Sequence, residues 1–159
     1  MDDLDLEQLR AQVQVLNDLE EIKQLRARYC RYADGQDWDA WGREILTEDF
    51  RFDSDGGVQE GRDVVVAFVS KSLEGATTVH HCHTPEIAMT GPDTATGVWA
   101  MQDHVKMSHE GKTIMFRGAG HYHEEYVRTA QGWRIRSTTL RRLSVDPLQP
   151  PEADMASGS

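Results

Sequence analysis

From the N-terminus to about residue 33, apolar side chains recur at spacings of three and four: Leu9, Val13, Leu16, Leu19, Ile22, Leu25, Tyr29 and Tyr32. This is one stripe of an α-helix, so residues 4 to 33 read as a single long helix. Charged Glu20, Glu21, Lys23, Arg26 and Arg28 fill other positions, and Gly35, just after Asp34, reads as the stop. The half before about Leu16 either extends past the domain onto a neighbouring subunit or frays. "DWDAWGREI" reads as a short helix carrying Trp38 and Trp41. "DFRFDS" alternates and meets Asp55-Gly56-Gly57, which makes a strand followed by a turn. After Gly61, the residues Val64, Val65, Phe68, Val69 and Leu73 form a helical stripe despite their β-branched run.

Beyond Ala76 the period changes from helical to alternating. Residues 77–90 run into the turn "TGPDT", 94–108 into "HEGK", 112–129 into "AQGW", and a last strand covers 132–145. Helices first and then a meander of long antiparallel strands is an α+β pattern. The segment "DPLQPPEADMASGS" is rich in proline and small polar residues and reads as a disordered tail over 146–159. One domain over 1–145, with 1–16 as a helical extension, suits a chain of 159 residues.

Strand parity sorts the side chains by face. In 94–108 the more apolar face holds Trp99, Met101, Asp103, Val105 and Met107, so Asp103 sits among large apolar neighbours, where an ionised carboxylate needs a partner. In 77–90, "TTVHHCHTPEI" divides into Val79, His81, His83, Pro85, Ile87 and Met89 on one face and His80, Cys82, Thr84 and Glu86 on the other. An antiparallel register about the turn near Pro92 places His83 opposite Met101 and diagonal to Asp103 on the same face, provided no bulge intervenes. A carboxylate beside an imidazole fixes its tautomer and raises its basicity, so such a pair is a general acid/base or a satisfied core histidine with a structural aspartate.

Composition narrows the function classes. A net charge of -10 with no basic cluster disfavours nucleic acid and anionic membranes as partners. No apolar run reaches the roughly 20 residues of a membrane span. The acidic start "MDDLDLEQLRAQ" lacks the basic-then-apolar layout of a signal peptide. Cys30 and Cys82, the only cysteines, are too few for a disulfide framework, and both read as reduced thiols of a cytoplasmic protein.

The segments "LEEIKQLRARYCRYADGQDWDAW", "GRDVVVAFV", "VHHCHTPEIAMTGPDTATGVWAMQD", "GHYHEEYVRTAQGWRI" and "STTLRRL" resemble the SnoaL-like branch of the nuclear-transport-factor-2-like superfamily over about residues 15 to 145. Within it they are most similar to the bile-acid 7α-dehydratases and more distantly to the scytalone dehydratases. The resemblance implies a cone-shaped α+β barrel, its curved antiparallel sheet closed by N-terminal helices around a deep apolar pocket. It also implies a site. "YCRYADG" supplies Tyr29 and Asp34, the "HTPEI" histidine is His83, the aspartate after "TATG" is Asp103, and the last-strand arginine is Arg142.

That set suits dehydration of an apolar cyclic hydroxy-carbonyl, steroid-like or polyketide-like. Tyr29 donates to the carbonyl oxygen as it becomes an enolate. His83, paired with Asp103, takes a proton and returns one to the leaving hydroxyl. Asp34 orients a water, a substrate hydroxyl or His83, or is a turn residue beside Gly35. Arg142 binds a carboxylate or bulky tail of the substrate, or is a surface residue. Tyr32, Trp99, Met101, Phe116 and His121 are pocket-lining or core candidates. The carbonyl is the electron sink, so no cofactor and no metal is expected, and the family habit implies a homo-oligomer, trimer or dimer. Rival readings are a metal site on His81-x-His83 and His121-x-His123, a ketosteroid-type isomerase or epoxide hydrolase, and a non-catalytic small-molecule-binding subunit.

Overall fold

The structure is a computed structural model and describes residues 3–149. The long helix is α1 (Asp3–Asp34). A single turn, α2 (Trp38–Ala40), follows, capped by the Asp37 side chain accepting from the Ala40 N–H, and widens into a π-helical turn over Trp41–Ile45. Next come β1 (Leu46–Ser54), a short β2 (Gly57–Glu60) and α3 (Arg62–Ser72). Four long strands complete the chain: β3 (Thr77–Gly91), β4 (Thr94–His109), β5 (Lys112–Thr129) and β6 (Gly132–Leu148). The alternating pattern anticipates all four. The last runs further than expected and takes in residues 146–148 of the supposed tail; residues 150–159 lie outside the described residues.

The strands form one curved, open sheet in the order β2-β1-β6-β5-β4-β3. Neighbours are antiparallel except β1 and β6, which run parallel and pair Phe52 with Thr138. α3 returns the chain from the β2 edge to the opposite edge at β3, and this crossover lets β1 lie parallel to β6.

The core lies between the sheet's inner face and α1. Ile22, Leu25 and Tyr29 of α1 pack with Trp41, Ile45, Phe50, Val65, Tyr126, Trp133 and Ile135. Asp18, 2% exposed, fastens the middle of the helix to the β5–β6 hairpin: its carboxylate pairs with Arg128 at 2.6 Å and accepts from Trp133 Nε1 at 3.2 Å. N-terminal to Asp18 the apolar stripe loses its cover, and Leu9, Val13 and Leu16 are exposed. The helical period over this stretch is real, but none of the described residues covers it.

Arg26 departs further from expectation. It stands one position past the stripe, where a charge ordinarily faces water, yet it is fully buried. Its Nη1 meets Glu124 Oε1 at 2.7 Å, and its guanidinium lies between the rings of Tyr29 and Tyr122, 3.9 and 4.0 Å from their centroids. Glu124 also accepts from Thr138 at 2.9 Å and from Tyr126, whose oxygen accepts from Trp99 Nε1 at 2.7 Å. A buried ion pair persists when its charges compensate each other, as Glu124 and Arg26 do here.

Candidate active site

A cavity of about 270 Å³ opens between the C-terminal half of α1, the π turn, α3 and the inner face of β3 to β6. Tyr29, Trp41, Phe52, Phe68, Val105, Phe116, Tyr122 and Leu140 make its walls largely apolar, while Asp55, His80, Asp103 and Arg142 supply acidic and basic groups. A larger groove of about 580 Å³ runs between α1 and the β5–β6 turn, but it is lined mostly by polar side chains such as Gln14, Asn17, Glu21 and Arg28. An apolar cavity holding a few convergent polar groups is the arrangement that small-molecule sites favour.

The histidine in the cavity is His80, not His83. From Met89 to Pro85 the register runs as expected, Met89 opposite Ala95 and Pro85 opposite Trp99; a bulge between Cys82 and Pro85 then shifts it by one. Beyond the bulge Cys82 faces Met101 and His80 stands directly opposite Asp103. A shift of one residue exchanges the two faces of a strand. Thr78, His80 and Cys82 therefore turn inward, and both His83 and Thr84 are exposed at the bulge. The expected His83–Asp103 pair does not form.

His80 is held by Asp34 instead. Its Nδ1 lies 2.6 Å from Asp34 Oδ1, and its backbone N–H donates to Asp34 Oδ2 at 3.0 Å. The Thr78 hydroxyl donates to the same Oδ1 at 2.8 Å. Burial works against the Asp34 carboxylate, yet the bonds from the His80 side chain and backbone and from Thr78 hold its pKa below the ordinary range. An ionised Asp34 accepting at Nδ1 leaves Nε2 as the ring's basic nitrogen. Asp34 can do this because it is the last residue of α1, which ends where Gln36 takes a left-handed conformation, φ 54°, and its side-chain amide donates to the Leu73 and Ala76 carbonyls. That tether brings the helix end to the start of β3.

Asp103 does have the partner that its apolar setting demands, and it is Arg142. The two form a bidentate pair at 3.0 and 2.6 Å, with the Asp103 side chain 2% exposed and that of Arg142 20%. Hydrogen bonding to Asp103 raises the Arg142 pKa further, so the guanidinium stays charged at the cavity wall. Gly118, opposite Asp103 on β5, leaves room for the pair: a Cβ there would lie 1.8 Å from Arg142 Nη1 and 2.3 Å from Asp103 Oδ1. Tyr29, 6% exposed, lines the cavity edge-on to Trp41, and burial drives its phenol well above the ordinary pKa, which keeps it a hydrogen-bond donor.

Of the other expected lining residues, Phe116 reaches the cavity. Trp99 and Met101 lie behind its wall, packed with Tyr122 and Leu140. Tyr32 faces away and donates its hydroxyl to Glu44 at 2.7 Å. His121 is on the outer face of β5, because inward Tyr122 and Glu124 set the parity there. Its ring and that of His123 are 6.4 Å apart, and His81 and His104 face each other at 6.5 Å on the same outer face. Among the described residues no group of three or more His, Cys, Asp or Glu side chains is brought together as a metal site. Ser54 and Asp55 at the end of β1, and Phe68 of α3, are lining residues that the sequence reading missed. The Asp-Gly-Gly turn behind β1 was their one visible signal.

Known proteins agree with this architecture. A SnoaL-like domain profile matches residues 14–139. "Probable cyclase FGR4" of Gibberella zeae is 28% identical over 133 residues, which is 77% of this chain and 89% of that protein. Among solved structures, a putative scytalone dehydratase from Novosphingobium aromaticivorans superposes with a TM-score of 0.77 at 15% identity, covering 93% of this chain and 99% of that one. A hexachlorocyclohexane dehydrochlorinase (LinA, type 2) gives 0.77 at 16%, covering 89% and 99%. Identities this low establish the shared fold alone. With the profile spanning most of the sequence, the chain belongs to the SnoaL-like domain family.

Proposed function

We propose that this protein is a lyase of the dehydratase type, removing water from an apolar cyclic hydroxy-carbonyl compound, steroid-like or polyketide-like. The observation that carries the reading is the Asp34–His80 pair, 2.6 Å apart, at the wall of a largely apolar cavity. His80 Nε2 takes the proton acidified by the neighbouring carbonyl, and Asp34 stabilises the imidazolium that results. The Tyr29 phenol and the Arg142 guanidinium, both on the cavity wall, are the donors available to the oxygen that gains charge. The imidazolium then returns a proton to the departing hydroxyl, and the apolar walls keep competing water out. Names among the similar proteins favour elimination chemistry, since a dehydratase removes water from its substrate and a dehydrochlorinase removes hydrogen chloride.

The relative named a probable cyclase supports a second outcome from the same base-plus-donor layout, ring closure without loss of mass. One experiment separates the two. The protein is incubated with a panel of hydroxy-ketosteroids and aromatic polyol ketones, and products are identified by mass spectrometry. Loss of water supports the dehydratase, and a product of unchanged mass supports cyclisation or isomerisation. His80→Gln is expected to reduce turnover at least about 100-fold, the usual contribution of a general base, and His83→Gln to leave it within about two-fold. Full turnover by His80→Gln would overturn the assignment of the base.

A further inference from the structure

Arg26, Cys30 and Asp34 follow one another at intervals of four on the inward side of α1, and His80 and Cys82 share the inner face of β3. Four helical residues rise about 6 Å and two strand residues about 6.6 Å. The two ladders therefore keep step, and where Asp34 meets His80, Cys30 meets Cys82 one layer further along. The sulfurs of Cys30 and Cys82 are 3.7 Å apart. Arg26 Nε lies 3.3 Å from Cys82 Sγ. Both cysteines are free and partly exposed, and the acid–base chemistry above uses neither.

We propose that Cys82 is an oxidation site with Cys30 as its resolving thiol, so that a hydroperoxide converts the pair into a disulfide joining α1 to β3. The Cys82 thiolate attacks one peroxide oxygen, the O–O bond breaks, and hydroxide (an alkoxide from an organic hydroperoxide) leaves a sulfenic acid on Cys82. The Cys30 sulfur then attacks Cys82 Sγ. The S–S bond forms as the S–O bond breaks, and the departing hydroxide leaves as water with the Cys30 proton. In total two thiols lose two electrons and two protons, and the peroxide is reduced to water and water or an alcohol. The sulfurs must close from 3.7 Å to about 2.05 Å. That is a short movement for the side chains of one helix and one strand already in contact.

The order of roles follows from the surroundings. Arg26 Nε donates to Cys82 Sγ at 3.3 Å, so of the two sulfurs Cys82 is the one set up to hold the negative charge and accept from the Cys30 thiol; the Cys30 and Arg26 contacts lower the Cys82 pKa against the opposing effect of burial. Donating that bond, together with burial, raises Cys30. Cys82 is thus the thiolate and attacks first, and Cys30 keeps its proton until the second step. A hydroperoxide is the fitting oxidant because it is small enough to reach a half-buried sulfur.

The test needs no knowledge of the substrate. The full chain is reduced, freed of reductant and treated with hydrogen peroxide, then denatured, alkylated and weighed. The expected result is loss of two hydrogens, failure of both cysteines to alkylate, a Cys30–Cys82 linked peptide, and reversal by phosphine. In Cys30→Ser, dimedone is expected to trap sulfenic acid on Cys82; in Cys82→Ser, Cys30 should remain unlabelled and alkylatable. Two alkylated thiols after peroxide, dimedone on Cys30, or a linkage only between chains would each overturn the proposal.

Discussion

Gly118→Ala tests whether a missing side chain on β5 is what allows the charged pair in the cavity. The added Cβ would stand 1.8 Å from Arg142 Nη1 and 2.3 Å from Asp103 Oδ1. Ordinary contact is near 3.5 Å, so the guanidinium must retreat by roughly 1.5 Å. Asp103 can only turn its carboxylate aside: it is short, 2% exposed, and held in register between Met101 and Val105 on the core face of β4. Arg142 reaches the pair at the end of a long side chain that is 20% exposed, so it swings toward the cavity mouth. Asp103 then keeps its burial and loses both guanidinium bonds. Removing one partner of a buried pair costs about 3–5 kcal/mol. Water entering from the cavity returns part of this, which leaves a loss of about 2–4 kcal/mol, a large share of a typical domain's stability. Urea unfolding followed by tryptophan fluorescence measures it. In a chain already carrying Asp103→Ala and Arg142→Ala, the same Gly→Ala step should be neutral or slightly stabilising, because the clash is gone and alanine restricts the unfolded chain. Equal costs in the two backgrounds, within about 0.5 kcal/mol, would refute the reasoning.

Three further outcomes are expected. Thr78→Val removes one hydrogen bond to the Asp34 carboxylate, worth about 1.5 kcal/mol for a charged acceptor, and should lower kcat about ten-fold with KM little changed, which steady-state kinetics on any turned-over substrate would check. The Asp34 pKa is lower in the folded state than in the unfolded chain, so its contribution to stability is present above the unfolded value and disappears as pH falls through the folded one. The melting-temperature advantage of wild type over Asp34→Asn should therefore hold at about pH 5 and shrink toward about pH 3, below the unfolded carboxyl value near 3.9; an advantage constant across that range would count against the ionised pair. Glu124→Ala leaves Arg26 buried without its counter-charge and should cost about 3–5 kcal/mol, whereas the double change Arg26→Met with Glu124→Leu should recover most of it, as chemical denaturation would show.

Much of this molecule follows from the order of its residues alone. The 3–4 spacing from Leu9 to Tyr32 specifies one long helix, and the change to alternation after Ala76 specifies four long strands, because side-chain period is a local property of the backbone. The parity of β4 was legible too, down to an aspartate on the core face that needed a partner. What that partner is was decided elsewhere. A bulge at His83 and Thr84 exchanges the faces of β3, so the inward histidine is His80, and its carboxylate comes from the end of α1. Strand alternation carries no mark of a bulge, because an unpaired residue is defined only by the neighbouring strand. Arg142 reaches Asp103 across one intervening strand, β5, through a gap left by Gly118, and Arg26 is buried because Glu124, Tyr29 and Tyr122 enclose it. In each case the sequence determined which groups were available and the face to which local period assigned them. Which charges met, and which histidine entered the cavity, depended on contacts between distant segments that exist only once the sheet has closed over the helix.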